Sequence, residues 1–198
     1  MADEMRGPWR VRSMQVAFDN PWLEIQDHEV VQPGGSPGRY GVVHFKNLAI
    51  GVLPVSETGL VPLVGQHRFP SDSYSWELPE GGGPIGEPPL LGAQRELAEE
   101  TGYRAAHWLE VLSCDLSNSV TDEAALGYLA WGLTAGEAAP DETEVLAQRE
   151  VPFGALLADC LKGEIRDSLT ILLALTVKAK LDAGALPEDA ARCLRAGV

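Results

Sequence analysis

The chain has 198 residues, 45% of them hydrophobic, with 29 acidic against 15 basic side chains and a formal net charge of −14. That is enough length and apolar content for one domain with a real core. The charge argues against non-specific binding to nucleic-acid backbones, and it means that an anionic substrate would need a local positive site, a metal or an arginine.

Residues 1–8 read as a loose start. Val11–Phe18 and Trp22–Val31 read as strands divided by the turn signal Asp19-Asn20-Pro21. Residues 32–38 (QPGGSPG) are a loop by composition. Residues 39–47 alternate apolar and polar as a half-buried strand does. Leu48–Val55 and Leu60–Gln66 are apolar strands around Glu57-Thr58-Gly59. Residues 104–113 and 124–133 predict further strands, and 134–144 (TAGEAAPDETE) an acidic loop. A short strand at 145–151, a helix over 153–162 ended by Gly163, a helix capped by Asp167 or Ser168 running to about Lys180, and a short helix at 187–194 complete the chain. Strands around one central helix, with helices at the end, argue for an α/β layered fold. The three cysteines, Cys114, Cys160 and Cys193, show no metal-ligand spacing and are expected as free thiols. The first ten residues carry acids and no apolar run, unlike a signal peptide. No stretch reaches the length of a membrane span. A cytoplasmic protein is expected, with no nucleic-acid or membrane partner.

The stretch from Trp76 to Tyr103, WELPEGGGPIGEPPLLGAQRELAEETGY, carries the chemistry. Pro88 and Pro89 suit the first turn of a helix, and Gly102 suits its left-handed exit. At roughly 100° per residue, Leu90, Ala93, Leu97 and Thr101 share one face, which should pack on a core, and Glu96, Glu99 and Glu100 share the opposite arc. Clustered carboxylates repel one another. They also sit near the C-terminal end, where the helix dipole favours cations. Two local rules are broken together, which is expected at a functional site. A divalent cation resolves both, because carboxylate oxygens are the hard ligands that Mg²⁺ takes and shares with phosphates. A solvated acidic face is the bland alternative, but it does not explain the fixed spacing of Gly81, Glu87, Arg95-Glu96-Leu97, Glu99-Glu100 and Gly102.

With every defined position filled, this stretch resembles the signature box of the Nudix hydrolases; Tyr103 stands where an aliphatic residue is more usual. GVLPV, GQHRFP at 65–70, Trp76-Glu77-Leu78-Pro79, VPF and GEIRDSLT resemble the ADP-ribose pyrophosphatase branch over about residues 20–180. The resemblance implies a Nudix-type α/β/α sandwich with a mixed β-sheet. It divides the chain into N-terminal strands (1–47) that could serve dimerisation, a hydrolase domain (48–182) and a tail (183–198). It implies a Mg²⁺- or Mn²⁺-dependent pyrophosphohydrolase that cleaves a nucleoside diphosphate sugar, ADP-ribose first among them, and acts as a homodimer. Residues 117–121 (SNSVT) depart from the Pro-Gly element of that branch. Another nucleotide sugar, a dinucleoside polyphosphate, an oxidised nucleotide, or a non-catalytic nucleotide-sensing module are the alternatives.

By the same resemblance, Glu96 and Glu100 match the main metal ligands, Glu99 a further one, and the Glu80 carbonyl another. Gly81 and Gly82 let backbone approach the metal and phosphates. Arg95 is expected to pair with a box carboxylate, and Glu87 to act as a cap, an ion-pair partner or a water-mediated metal contact. Arg68 and Glu77 border the substrate, with a surface arginine as the alternative for Arg68. Trp22 is the aromatic favoured for base stacking, ahead of Tyr40, Trp76 and Trp108, and the four histidines are read as structural. The general base is expected on the acidic loop at Glu142, with Glu144 as alternative and Glu99 next; Glu137 is expected to be solvated only.

Overall fold

The computed structural model describes residues 4–139 and 145–198. An antiparallel meander comes first, of β1 (Glu4–Arg6), β2 (Trp9–Asp19), β3 (Leu23–Val31) and β4 (Pro37–Phe45). The Asn20 side chain makes the expected turn, accepting from the backbone N–H of Trp22 at 2.9 Å and of Leu23 at 2.8 Å. The expected loose start is corrected in part: Glu4–Arg6 pair with Trp9–Val11, turning back through Gly7 at φ 56°.

The central sheet runs β8 (Glu80–Pro84), β5 (Asn47–Val55), β10 (Ala124–Thr134), β9 (Arg104–Asp115). It is mixed, because β5 and β10 are parallel and the other pairs antiparallel. A smaller antiparallel sheet runs β11 (Ala147–Pro152), β6 (Leu60–Arg68), β7 (Ser73–Glu77).

Side-chain alternation in β5 and β10 makes the layers. Ile50 and Val52 of β5, with Tyr128 and Ala130 of β10, pack on Ala93 and Leu97 of α1 (Pro89–Thr101). Leu53, Val55, Leu129 and Trp131, one position out of phase, pack against α2 (Phe153–Lys162), α3 (Ser168–Asp182) and α4 (Glu188–Ala196). The result is the α/β/α sandwich that the sequence implied. Asp167 caps α3 by accepting from the backbone N–H of Thr170 at 2.7 Å.

Strands β7 and β8 were not foreseen. SYSWE of β7 alternates polar and aromatic residues over only five positions, and EGGGP of β8 has no apolar alternation; β8 is held by backbone pairing of Glu80–Pro84 with Asn47–Gly51. The 134–144 loop starts one residue later than expected, because β10 extends to Thr134.

Leu97 is fully buried between α1 and the central sheet, whereas Leu91 on the same helix is 51% exposed. Leu97→Ala is predicted to destabilise the fold by about 2–5 kcal/mol, and Leu91→Ala by no more than about 0.5 kcal/mol. Urea unfolding would measure both; equal losses would contradict this packing.

Candidate active site

Helix α1 begins after Pro88 and ends at Gly102, whose φ of 76° is left-handed and whose N–H returns to the Ala98 carbonyl. Glu87 supplies no side-chain cap; its backbone N–H bonds the Pro84 carbonyl at 3.0 Å in the turn before the helix. Ala93, Leu97 and Thr101 are buried as the helical pattern requires, and Leu90 packs at the margin of the same cluster. The acidic arc is no solvated face. Glu96 is 8% and Glu100 2% exposed.

Strand β8 covers that arc. The backbone N–H of Glu80 donates to Glu100 Oε2 at 3.0 Å. A Cβ built at Gly81 would overlap the Glu96 carboxylate, so glycine here leaves that carboxylate its place against the strand. Arg95 locks strand to helix: its Nη1 donates to Glu96 Oε1 at 2.7 Å and Glu99 Oε2 at 3.4 Å, and its Nη2 to the Gly82 carbonyl at 2.9 Å. Burial works against the Arg95 charge, but the bonds and charges of Glu96 and Glu99 outweigh it and raise its pKa.

Carboxylates taken out of water must be compensated. The carboxylates of Glu96, Glu99 and Glu100 are oxygen donors of the hard kind that a divalent cation takes. In donor type the residues present fit a metal.

Beside this arc lies a second cluster, in which Glu77, Glu80 and Asp167 each offer a carboxylate oxygen within 4.8 Å of the others. Arg68 already serves as its cation. Its Nε bonds both Glu77 oxygens at 2.9 and 3.1 Å, and its Nη2 bonds Glu77 Oε2 at 2.5 Å and Glu80 Oε1 at 2.9 Å. Burial opposes the Arg68 charge, yet Glu77, Glu80 and Asp167 together raise its pKa. Arg68 is thus to this cluster what Arg95 is to Glu96 and Glu99 on the helix arc. Glu77 is 2% exposed, so its carboxylate supports Arg68 from within the fold. Glu80 Oε2 is buried and accepts no hydrogen bond. Burial first, then the neighbouring Asp167 and Glu77 charges, push the Glu80 carboxyl well above the ordinary range. Once protonated it can donate to Asp167.

A cleft of about 350 Å³ opens along Arg68, Glu80, Gly81 and Gly82, with Trp22, Asn47, Glu123 and Asp167 among its other walls. Trp22, 65% exposed, stands at this cleft. Its rivals are engaged elsewhere: Tyr40 donates to the Ser119 carbonyl at 2.6 Å, Trp108 packs edge-on against Tyr128, and Trp76 lies under the Arg149 guanidinium. Glu137 is exposed, and Glu142 and Glu144 lie outside the described residues. An apolar hollow in the N-terminal sheet, at Trp9, His28 and Tyr40, shares no residue with this cleft. The sequence reading missed Asp167, Asn47 and Glu123 as cleft residues. Asp167 carried a signal only as a helix cap, and the other two carried none.

The NUDIX domain model matches residues 46–170. An ADP-ribose pyrophosphatase of Mycobacterium tuberculosis is 34% identical over 160 residues, 78% of this chain and 76% of that protein. A CMP-5'-(N-acetyl-N-hydroxy-3-aminopropyl)phosphonate hydrolase of Streptomyces rubellomurinus is 31% identical over 145 residues, 73% and 70% of the two chains. A crystal structure of an ADP compounds hydrolase shares the fold at a TM-score of 0.80 and 17% identity, covering 92% of this chain and 100% of that one. Box, fold and these likenesses together define a pyrophosphohydrolase. The chain belongs to the Nudix family and is a Nudix pyrophosphohydrolase resembling the ADP-ribose pyrophosphatases.

Folding raises the Glu80 pKa above its ordinary value of 4.5. Its stabilising contribution is therefore complete below that value and is lost as pH rises toward the folded pKa. Glu80→Gln lacks this titration, so its stability relative to the wild type is predicted to improve from acid to neutral pH. Thermal unfolding across that range would test this, and a difference that is flat or shrinks with pH would contradict it.

Proposed function

We propose that this protein hydrolyses the diphosphate bond of a nucleoside diphosphate sugar with Mg²⁺ or Mn²⁺, ADP-ribose giving AMP and ribose 5-phosphate. The observation that carries the reading is the buried pair Glu96 and Glu100 held against the backbone of Glu80 and Gly81 beside an open cleft. Glu96, Glu99 and Glu100, with the Glu80 carbonyl, would hold the cation. When bound, it supplies charge neutralisation of the diphosphate and a lower pKa for an attacking water. Arg95 keeps helix and strand in register for that purpose. Arg68, fixed by Glu77, offers a cation at the cleft for a phosphate. Trp22 offers an exposed ring for the base. Because the box glutamates act as ligands, the base that activates water is assigned to Glu142, with Glu144 as its neighbour and Glu99 as the fallback. ADP-ribose ranks first because an ADP-ribose pyrophosphatase is among the relatives that share most of this chain.

The N-terminal region, residues 1–47, which carries the sheet of β1 to β4, is proposed to pair two copies of the chain. Met14, Val16, Phe18 and Ile25 on β2 and β3 are exposed large apolar residues, and an apolar surface of this kind calls for a partner. Light scattering should give a dimer, and a monomer at micromolar concentration would refute the pairing. Among the described residues no helix is long and apolar enough to cross a membrane.

With Mg²⁺, released AMP should be detected from ADP-ribose, and excess EDTA should abolish it. Undiminished activity in EDTA would refute the metal reading, and hydrolysis of a CMP derivative but not of ADP-ribose would refute the substrate. Glu100→Gln should cut kcat by orders of magnitude with the fold intact. Glu142→Gln should lower kcat with little change in KM, the pattern of an interaction made only in the transition state, and Glu137→Gln should be nearly silent. Wild-type kcat in both Glu142→Gln and Glu144→Gln would move the base elsewhere.

A further inference from the structure

The last carbonyls of a helix have no partner within it and must find one outside. In α1 two of these belong to Glu99 and Glu100, which also carry box carboxylates. The Glu99 carbonyl accepts from the backbone N–H of Ala139 at 2.9 Å, and the Glu100 carbonyl from Gln148 Nε2 at 2.6 Å. Residues 135–139 reach the helix end because of a close glycine contact. A Cβ at Gly102 would lie 2.6 Å from the Gly136 carbonyl oxygen, and one at Gly136 would lie 2.9 Å from the Gly102 carbonyl oxygen. Gln148 sits on β11, opposite Val64 of β6, so its amide ties the helix end to the smaller sheet.

Glu100 is thus gripped twice, at its carboxylate by the Glu80 N–H and at its carbonyl by the Gln148 amide. Of these two grips, only the second comes from a side chain, so only it can be removed by substitution without touching the backbone. We infer that Gln148 is a positioning residue for the metal site: it fixes the last turn of α1 and, through it, the direction in which the Glu100 carboxylate points. Gln148 does not line the cleft. The inference rests on the reading of Glu100 as a metal ligand in a Mg²⁺-dependent hydrolase.

Gln148 is exposed, so replacing it disturbs no core packing. Gln148→Met keeps the length and removes the donor. One hydrogen bond is lost, and water can partly replace it. The concentration of Mg²⁺ giving half-maximal ADP-ribose hydrolysis should therefore rise about fivefold, the size expected for one such bond. KM for ADP-ribose at saturating Mg²⁺ should stay close to wild type, and Tm should change little. Gln148→Arg, which restores N–H donors, should return the Mg²⁺ requirement toward wild type. Gly136→Ala, which crowds the Gly102 carbonyl from the other flank, should raise the requirement in the same direction. An unchanged Mg²⁺ requirement in Gln148→Met, or one that Gln148→Arg fails to restore, would overturn the inference. So would a loss of activity that simply follows a fall in Tm. The wild type measured alongside separates the two readings. If it hydrolyses without divalent cation, the metal reading itself fails; if it needs Mg²⁺ and Gln148→Met matches it, only the role of Gln148 fails.

Discussion

The architecture of the site depends on one arrangement: two carboxylates on the last turns of α1, Glu96 and Glu100, are taken out of water against a glycine strand. Each would be costly alone. Arg95 offsets part of the cost by bonding Glu96, Glu99 and the Gly82 carbonyl at once, and the Glu80 N–H offsets more at Glu100. Under the proposed metal reading, a cation would complete the compensation, and the burial that is costly to the fold would then serve binding. This also accounts for Gly81 in β8, where a side chain would collide with the Glu96 carboxylate and displace it or the strand.

Two neighbouring acidic groups are treated differently by the fold. Around Arg68, the carboxyls of Glu77, Glu80 and Asp167 are balanced by a guanidinium that the chain itself supplies, and Glu80 is pushed toward its neutral form. Along α1, three carboxylates gather at the end of a helix whose dipole also favours a positive charge. The first group shapes the wall of the cleft; the second, bonded in part by Arg95, carries the carboxylates proposed as metal ligands. Leu78 links the wall to the second helical layer, its N–H donating to the buried Thr170 hydroxyl at 2.9 Å. The segment leading into Glu80 is thereby anchored on α3.

Much of this was legible in the sequence because it rests on patterns that sequence preserves. The alternation in β5 and β10, the helix between Pro88 and Gly102, and the cap at Asp167 are local and periodic. The spacing of the box residues pointed to their shared function. What escaped was long-range. Strand β8 has no apolar period and exists through pairing with β5, and β7 alternates over only five residues beside β6. Asp167 lies 87 residues beyond Glu80 in number, and nothing near it in sequence marks it as a cleft wall. Gln148 shows no signal at all, since its role comes from the packing of β11 beside the end of α1. The burial of Glu96 and Glu100 could be inferred only as an anomaly, three like charges where the helix disfavours them.

The central claim is that this buried arc binds a divalent cation by itself, before any substrate arrives. Titration of Mn²⁺ into the substrate-free protein, followed by the electron paramagnetic resonance of the free ion, measures that directly. The account predicts saturable binding by the wild type that Glu96→Gln weakens at least about tenfold, a loss of about 1.4 kcal/mol, while Glu77→Gln, in the group served by Arg68, leaves the arc's ligand set intact. Binding unaffected by Glu96→Gln, or no saturable binding at all, would contradict it.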